Sequence, residues 1–129
     1  MRKQIAVVGA VIEHDGLILC ARRGGSGPLA GMWEFPGGKI EPGETPLAAL
    51  GREIREELRC EIEVGDEVTT TVHEYDFGTV TLTTFRCRLV DGTPQLTEHV
   101  AIEWLPAADL GTLAWAPADV PAVEILAAA

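Results

Sequence analysis

The chain has 129 residues, the size of one domain with a single hydrophobic core, and 47% of them are hydrophobic, as in a folded globular protein. The net charge of −10 argues against nonspecific binding to the phosphate backbone of a nucleic acid. The longest apolar run, residues 5–12, is too short to span a bilayer, so we expect neither a membrane segment nor a signal peptide.

A β-hairpin followed by a glycine-rich loop is predicted for the first part of the chain. Residues 5–12 form an apolar run typical of a buried strand, which we expect to be broken at Gly9. The turn at residues 14–16 joins this run to a second strand over residues 17–22. Four glycines and a proline follow within residues 24–31, so this loop is long enough to border a binding site. Residues 32–36 are predicted to form a short apolar strand or the entry to a turn.

A helix is predicted to begin at Pro46. Thr45 is a good N-cap residue, and proline fits the first helical position because its missing N–H would have no partner there. Arg52 and Glu56 are four residues apart, so they can pair on the helix surface. Apolar residues recur at intervals of three and four and predict the face that packs on the core: Leu47, Leu50, Ile54 and Leu58.

The remainder of the chain alternates between strand and turn before a closing helix. Residues 67–74 and 79–89 are predicted strands around a turn at residues 76–78, and His99–Leu105 is another strand. Pro117 opens a helix that continues to about Ala127. Strands mixed with two helices predict a single α+β domain over residues 1–129, with a mixed β-sheet between helices.

Three glutamates crowd one part of the first helix. Glu56 and Glu57 lie three and four residues beyond Glu53, so both are its neighbours on the helix surface. Their mutual repulsion disappears if a hard divalent cation binds, because Mg²⁺ takes oxygen ligands from one or two carboxylates and from substrate phosphates. The cluster therefore predicts a metal site with a phosphate above it, which also lets an acidic protein bind a polyphosphate.

The spacing of these residues resembles the signature of the Nudix hydrolases, Gly-x5-Glu-x7-Arg-Glu-U-x-Glu-Glu-x-Gly-U, where U is a bulky aliphatic residue. The match begins at Gly38 and Glu44 and continues through the run Arg-Glu-Ile-Arg-Glu-Glu at residues 52–57. Arg59 stands where the family has glycine and Cys60 where it has an aliphatic residue. Glycine at position 59 would cap the helix in a left-handed conformation, so arginine there costs about 1 kcal/mol or the helix ends differently.

The resemblance implies a Nudix-type α/β/α sandwich with a mixed central sheet, and a hydrolase that converts nucleoside triphosphate to monophosphate and pyrophosphate. Mg²⁺, or Mn²⁺ in its place, would polarise the phosphoryl oxygens and activate water. Glu53 and Glu98 are the two candidates for general base, Arg52 would orient Glu53, and Lys39 would assist the leaving group. The implied metal ligands are Gly37, through its carbonyl, with Glu53, Glu56, Glu57 and Glu98.

Substrate contacts are implied by the segment Trp-Glu-Phe-Pro-Gly-Gly-Lys at residues 33–39 and by Ala-Pro-Ala-Asp at residues 116–119, which resemble the MutT-like and CTP pyrophosphohydrolase-like branch of the family. An ionised Asp119 would accept from the amino group of cytosine, whereas a keto purine needs a donor. This favours CTP, dCTP and 5-substituted cytosine nucleotides over 8-oxo-dGTP, which stays the alternative. The implied substrate-binding residues are Arg23, Glu34, Phe35, Pro36, Gly37 and Asp119.

Plainer roles remain open for several of these residues. Asp119 could be the N-cap of the last helix, while Arg23 and Glu98 could be ordinary surface residues. His73 and His99 are interpreted as ordinary strand residues, because no Cys/His metal spacing accompanies them.

Other activities and the cellular setting are also left open by the sequence. Hydrolysis of dinucleoside polyphosphates or of RNA 5′ ends, and nucleotide sensing without catalysis, are the alternative functions. We expect no nucleic-acid polymer and no membrane as partner, and either a monomer or a homodimer. Three widely spaced cysteines predict reduced thiols in a cytoplasmic protein: Cys20, Cys60 and Cys87.

Overall fold

A mixed seven-stranded sheet with a helix on each face forms the domain, as seen in a computed structural model that describes residues 2–129. This is the α/β/α sandwich expected from the sequence. No helix within those residues is long and apolar enough to cross a membrane. The strands, in chain order, are β1 (Gln4–His14), β2 (Leu17–Arg23), β3 (Trp33–Glu34), β4 (Gly37–Lys39), β5 (Glu61–Tyr75), β6 (Gly78–Asp91) and β7 (His99–Leu105).

Strand β1 lies in the middle of the sheet. It runs parallel to β6 and antiparallel to β2 and β4, while β5 pairs with β6 and both β3 and β7 pair with β2. The expected break at Gly9 is wrong, because β1 continues through it, opposite Thr84 on one side and Gly37 on the other. A Cβ at Gly9 would be 3.3 Å from the Thr84 side chain, so glycine allows close packing here and does not end the strand.

The two helices cover opposite faces of the sheet. Alternate residues of β1 point to opposite sides, so Ala10 and Ile12 pack with the first helix, α1 (Pro46–Leu58), whereas Val11 packs with the second, α2 (Val120–Ala128). Two short 3-10 segments, Ala107–Thr112 and Pro117–Asp119, precede α2. The sheet therefore has a hydrophobic core on each face.

Helix α1 begins where the sequence predicts. The Thr45 hydroxyl accepts a hydrogen bond from the Ala48 N–H at 3.1 Å, which satisfies one of the free donors at the helix start. The expected core face is correct for its last three members and wrong for Leu47, which lies in the first turn and is 50% exposed. That turn extends beyond the packed region, and the fully buried residues are Ala49, Leu50, Ile54 and Leu58.

The end of α1 settles the question raised by Arg59. Its backbone is left-handed, with φ 57° and ψ 35°, and its N–H donates to the Arg55 carbonyl at 3.1 Å. The helix therefore ends in the glycine-type geometry although the residue is arginine. The next strand, β5, starts directly afterwards at Glu61, six residues before the predicted start at residue 67. Its register shifts between Val64 and Thr69 obscure the alternation by which strands are identified in a sequence.

Candidate active site

Strand β4 brings the glycine-rich turn against α1. Gly37 and Gly38 lie opposite Gly9 and Val8 of β1, and the Glu53 carboxyl group packs against Gly38. A Cβ at Gly38 would be only 2.5 Å from Cδ of Glu53, closer than carbon atoms approach. Glycine at position 38 therefore allows Glu53 to reach the turn.

Arg52 joins the acidic residues around this turn. Its guanidinium donates to Glu44 through Nε at 2.7 Å and Nη2 at 2.9 Å, and to Glu53 Oε1 at 3.0 Å. Nη2 also donates to the Lys39 carbonyl at 3.1 Å. The hydrogen bonds from Arg52 are the main reason that the pKa of Glu44 falls to about 2. Arg52 therefore fixes one oxygen of Glu53, as its predicted role requires.

Glu57 lies at the buried end of the acidic group. Only 7% of its surface is exposed, and burial is the main cause of a pKa raised well above the usual range of a glutamate. A hydrogen bond with Glu53 and the negative charges of Glu34, Glu53 and Glu98 raise the pKa further. These crowded carboxyl groups therefore resist being ionised together, and a bound cation would offset their negative charge.

The oxygen donors of this region fit a hard divalent cation. Glu53, Glu57 and Glu98 line one cavity with Gly37, and carboxylate and carbonyl oxygens are the ligands that Mg²⁺ and Mn²⁺ take. Glu56 is 60% exposed at its side chain and contacts Arg52 at 3.3 Å. Within residues 2–129 no three His, Cys, Asp or Glu side chains already form a tight metal cluster, so metal binding would have to draw these side chains together.

The cavity measures about 790 Å³, and its wall includes an acidic end, formed by the carboxyl groups around Glu57, and an apolar end, formed by the cluster of Val80, Leu82 and Ala118 with Tyr75. Arg23, Lys39 and Glu98 contribute side chains near the carboxylates, whereas Phe35, Tyr75 and Leu82 are among the residues of the apolar wall. The cavity wall thus combines apolar surface with a few polar and charged groups, as ligand sites do.

Asp119 stands at the apolar end of the cavity. Its Oδ1 accepts a hydrogen bond from the Phe35 N–H at 3.0 Å, and its side chain does not cap α2. Burial is the main cause that raises its pKa to about 8, with the charge of Glu34 adding to the shift. At neutral pH the carboxyl group therefore holds a proton and can both donate and accept, unlike the ionised carboxylate considered for the sequence.

Pro36 does not belong to the cavity wall. It is fully buried, and its carbonyl accepts a hydrogen bond from the Ala10 N–H at 2.7 Å. Pro36 thus attaches this turn to β1, while its neighbours Phe35 and Gly37 face the cavity. Its predicted contact with substrate has no support from this position.

His99 is the residue whose position the sequence did not indicate. Its Nε2 lies 2.9 Å from Glu34 Oε2, and its Nδ1 lies 3.7 Å from Glu57 Oε2. Glu34 also accepts from Arg23 Nη1 at 3.0 Å, so a continuous series of polar side chains links Arg23 to Glu57. The interpretation of His99 as an ordinary strand residue missed this arrangement, although its place beside Glu98 was a signal.

Tyr75 lines the cavity although the sequence analysis assigned it no role. Its hydroxyl accepts a hydrogen bond from the Ala118 N–H at 2.9 Å, next to Asp119. Its ring stacks on that of Phe77, with centroids 4.9 Å apart and an angle of 9° between the planes. His73, by contrast, touches the Tyr75 ring but is not part of the cavity wall.

Comparison with known proteins identifies relatives along nearly the whole chain. The family model described as NUDIX domain matches residues 7–124. A CTP pyrophosphohydrolase of Escherichia coli (strain K12) is 42% identical over 122 residues, which are 95% of this chain and 90% of that protein. An 8-oxo-dGTP diphosphatase of the same strain is 30% identical over 126 residues, 98% of each protein.

Solved structures agree with this result. The solution structure of a protein described as DNA mismatch repair protein MutT, family Nudix hydrolase, from methicillin-resistant Staphylococcus aureus 252 shares 56% sequence identity with this chain. The superposition covers 99% of this chain and 98% of that one, with a TM-score of 0.82.

Proposed function

Because this chain belongs to the Nudix family and is a hydrolase of nucleotides, we propose that it converts nucleoside triphosphates to monophosphate and pyrophosphate with Mg²⁺, or Mn²⁺ in its place. The observation that carries this proposal is the cavity itself, whose acidic end holds Glu53, Glu57 and Glu98 and whose apolar end holds Asp119. When bound, the cation offsets phosphate charge and activates the attacking water.

The chain's own residues have distinct tasks in this proposal. The Glu53 and Glu57 carboxylates and the Gly37 carbonyl would hold the cation. Glu56 and Glu98 would supply further oxygen ligands once their side chains move toward it. Arg23 and Lys39 line the cavity and would meet the phosphates or the sugar. Arg52 keeps Glu53 in place through its hydrogen bond at 3.0 Å.

Two glutamates remain candidates for the general base. Glu53 and Glu98 both line the cavity, and a base must come within hydrogen-bond distance of the water it activates. Glu53→Gln and Glu98→Gln should be compared at saturating Mg²⁺. The base is the residue whose amide variant loses the acidic limb of the pH dependence of kcat as well as most of the rate.

The first test of the proposal is release of pyrophosphate. We expect activity with Mg²⁺, none with excess EDTA, and a loss of at least about a hundredfold in Glu57→Gln. Glu124→Gln on α2 is the matched control, because it removes the same charge from an exposed position. Equal rates in the wild type and Glu57→Gln would reject the metal assignment, and nucleotide binding without turnover would support a sensor domain.

For the nucleobase we propose cytosine nucleotides, including 5-substituted ones. The smaller ring suits the apolar end beside Phe35 and Tyr75, and a neutral Asp119 can pair with both N3 and the amino group of cytosine. The same neutral carboxyl also matches the O6 and N1–H of 8-oxoguanine, which keeps 8-oxo-dGTP as the second candidate.

A substrate panel separates the two candidates. Values of kcat/KM should be measured for CTP, dCTP, 5-methyl-dCTP and 8-oxo-dGTP, with the cytosine nucleotides expected to be preferred. A preference of about a hundredfold for 8-oxo-dGTP would reject the cytosine proposal.

We also propose that the enzyme works in the cytoplasm. Cys20, Cys60 and Cys87 are buried and unpaired, and burial raises the pKa of each thiol, most for Cys20 and Cys87, to about 12. Buried neutral thiols suit a reducing cytoplasm. Clearing modified or surplus nucleotides there requires no nucleic-acid polymer and no membrane as partner.

A further inference from the structure

We infer that His99 is a positioning residue that holds the Glu57 carboxylate in place for the cation. The inference concerns how the proposed metal site is built, so it rests on the proposed function. It starts from a geometric fact: the imidazole ring of His99 lies between two carboxylates, with Glu34 at Nε2 and Glu57 at Nδ1.

The two sides of the ring are not equivalent. Nε2 is within hydrogen-bond distance of Glu34 Oε2, at 2.9 Å. Nδ1 is buried and has no hydrogen-bond partner among the described residues, and Glu57 Oε2 at 3.7 Å is the acidic oxygen facing it. An unpaired buried polar atom is unfavourable, so a small movement of the Glu57 carboxyl toward the ring is favoured.

The main chain around His99 is held to the same end of α1. The Gln95 N–H donates to the Leu58 carbonyl at 2.9 Å, and the Thr97 hydroxyl donates to the Glu57 carbonyl. These contacts fix the approach of β7 to the helix, so the ring cannot move freely away from Glu57. The segment that leads into β7 is thereby attached to the end of α1 through one main-chain and one side-chain donor.

The opposite side of the ring is equally constrained. Arg23 and His99 are partners in the register of β2 and β7, and Glu34 comes from β3 on the other side of β2. Glu34 contacts Arg23 at 3.0 Å as well as His99. The contact with Glu34 therefore holds the His99 ring on the side of the sheet, while Nδ1 of the ring faces Glu57 on α1.

In this arrangement His99 would contact a metal ligand, Glu57, without touching the cation itself. Residues that orient a ligand from behind typically contribute ten- to a hundredfold to metal affinity, because they remove the freedom that the ligand would lose on binding. The side chain of His99 is only 4% exposed and lines a smaller cavity of about 260 Å³ together with Glu34, Glu57 and Glu98, so we expect it to act on the cation through Glu57.

Two variants separate the two sides of the ring. The amide nitrogen of asparagine reaches about as far as Nδ1, whereas that of glutamine reaches about as far as Nε2. His99→Asn therefore keeps a donor toward Glu57 and loses the Glu34 contact, and His99→Gln does the reverse. His14→Gln is the matched control, since His14 is half exposed at the β1–β2 turn, far along the chain from these residues.

The measurement is binding of Mn²⁺ without nucleotide, followed by electron paramagnetic resonance, together with kcat and KM of each variant. We expect His99→Gln to bind Mn²⁺ about tenfold more weakly and to need more Mn²⁺ for half-maximal rate. His99→Asn should stay within about twofold of the wild type in Mn²⁺ affinity and change mainly the KM for nucleotide. Thermal unfolding of each variant confirms that the protein tested is folded.

Three results would overturn the inference. Wild-type Mn²⁺ affinity in His99→Gln would show that Nδ1 does not support Glu57. Equal losses of affinity in both variants would show a general packing role. Absence of Mn²⁺ binding in the wild type would remove the metal site and with it the proposed function, whereas the first two results leave that function intact.

Discussion

Replacing Gly38 with alanine is expected to reduce kcat by about a hundredfold while leaving the stability of the fold almost unchanged. The new Cβ would lie 2.5 Å from Cδ of Glu53, and ordinary contact begins at 3.4 Å, so the carboxyl group must retreat by about 0.9 Å. A displacement of this size in a positioning group costs about a hundredfold in rate.

The stability of this variant should change by less than about 1 kcal/mol. The backbone of Gly38 does not require a positive φ, and the atoms that the Cβ meets are the end of a flexible side chain. Alanine also lowers the conformational entropy of the unfolded chain, which offsets part of the strain. Urea unfolding gives the free energy, and pyrophosphate release gives kcat.

Two other glycines, the adjacent Gly37 and the loop residue Gly27, are the controls. In Gly37→Ala the Cβ would be 1.9 Å from the Val8 carbonyl oxygen, a backbone clash that should destabilise the fold by about 3 kcal/mol. In Gly27→Ala it would meet nothing within 4 Å, so neither stability nor kcat should change appreciably. Near-wild-type kcat in Gly38→Ala would refute the argument, because the rate would then not depend on where Glu53 lies.

Three further predictions concern other parts of the molecule. The folded state should retain the Asp119 proton up to a pKa of about 8, whereas the unfolded state releases it near 3.8, so stability falls as pH rises between these values by up to about 6 kcal/mol. Urea unfolding at several pH values should show a smaller decline in Asp119→Asn, with the remainder coming from Glu57, whose pKa is also raised; a decline as large as that of the wild type would contradict the assignment to Asp119. Arg52→Lys should lower both kcat and the melting temperature, because an ammonium cannot make the two hydrogen bonds to Glu44 together with the one to Glu53; unchanged kcat would mean that Arg52 does not orient Glu53. Arg59→Gly should raise the free energy of unfolding by up to about 1 kcal/mol at constant kcat, since the left-handed conformation costs glycine nothing, and Arg59→Ala should not.

Elements with strong local signals were predictable from the sequence. The start of α1 at Pro46 depends on Thr45, whose hydroxyl bonds within its own turn, and His99–Leu105 is the strand at its predicted bounds. Strand β4 and the early start of β5 were not predicted. Both depend on pairing with strands distant in the sequence, and β5 carries register shifts that disturb its alternation.

The candidate site, like the fold, was predictable only in part from the sequence. The glutamates of α1 stand at helical spacing, so their proximity follows from local geometry, and the family signature added their expected roles. The place of His99 between Glu34 and Glu57 could not be seen, because these three residues come from β7, β3 and α1. Leu47 shows the converse error, since its spacing fits the core face but the sheet does not cover its turn.

The sequence by itself determined the family and hence the hydrolase class, because the Gly38–Glu57 segment carries the Nudix signature within a single turn and helix, where spacing specifies neighbours. Only the tertiary structure decided the state of Asp119 and the surroundings of Glu57. The charge of a buried carboxyl depends on how much water the rest of the chain excludes and which charges it brings near. Those contacts come from residues up to 84 positions apart, as between Phe35 and Asp119, and no local pattern encodes them.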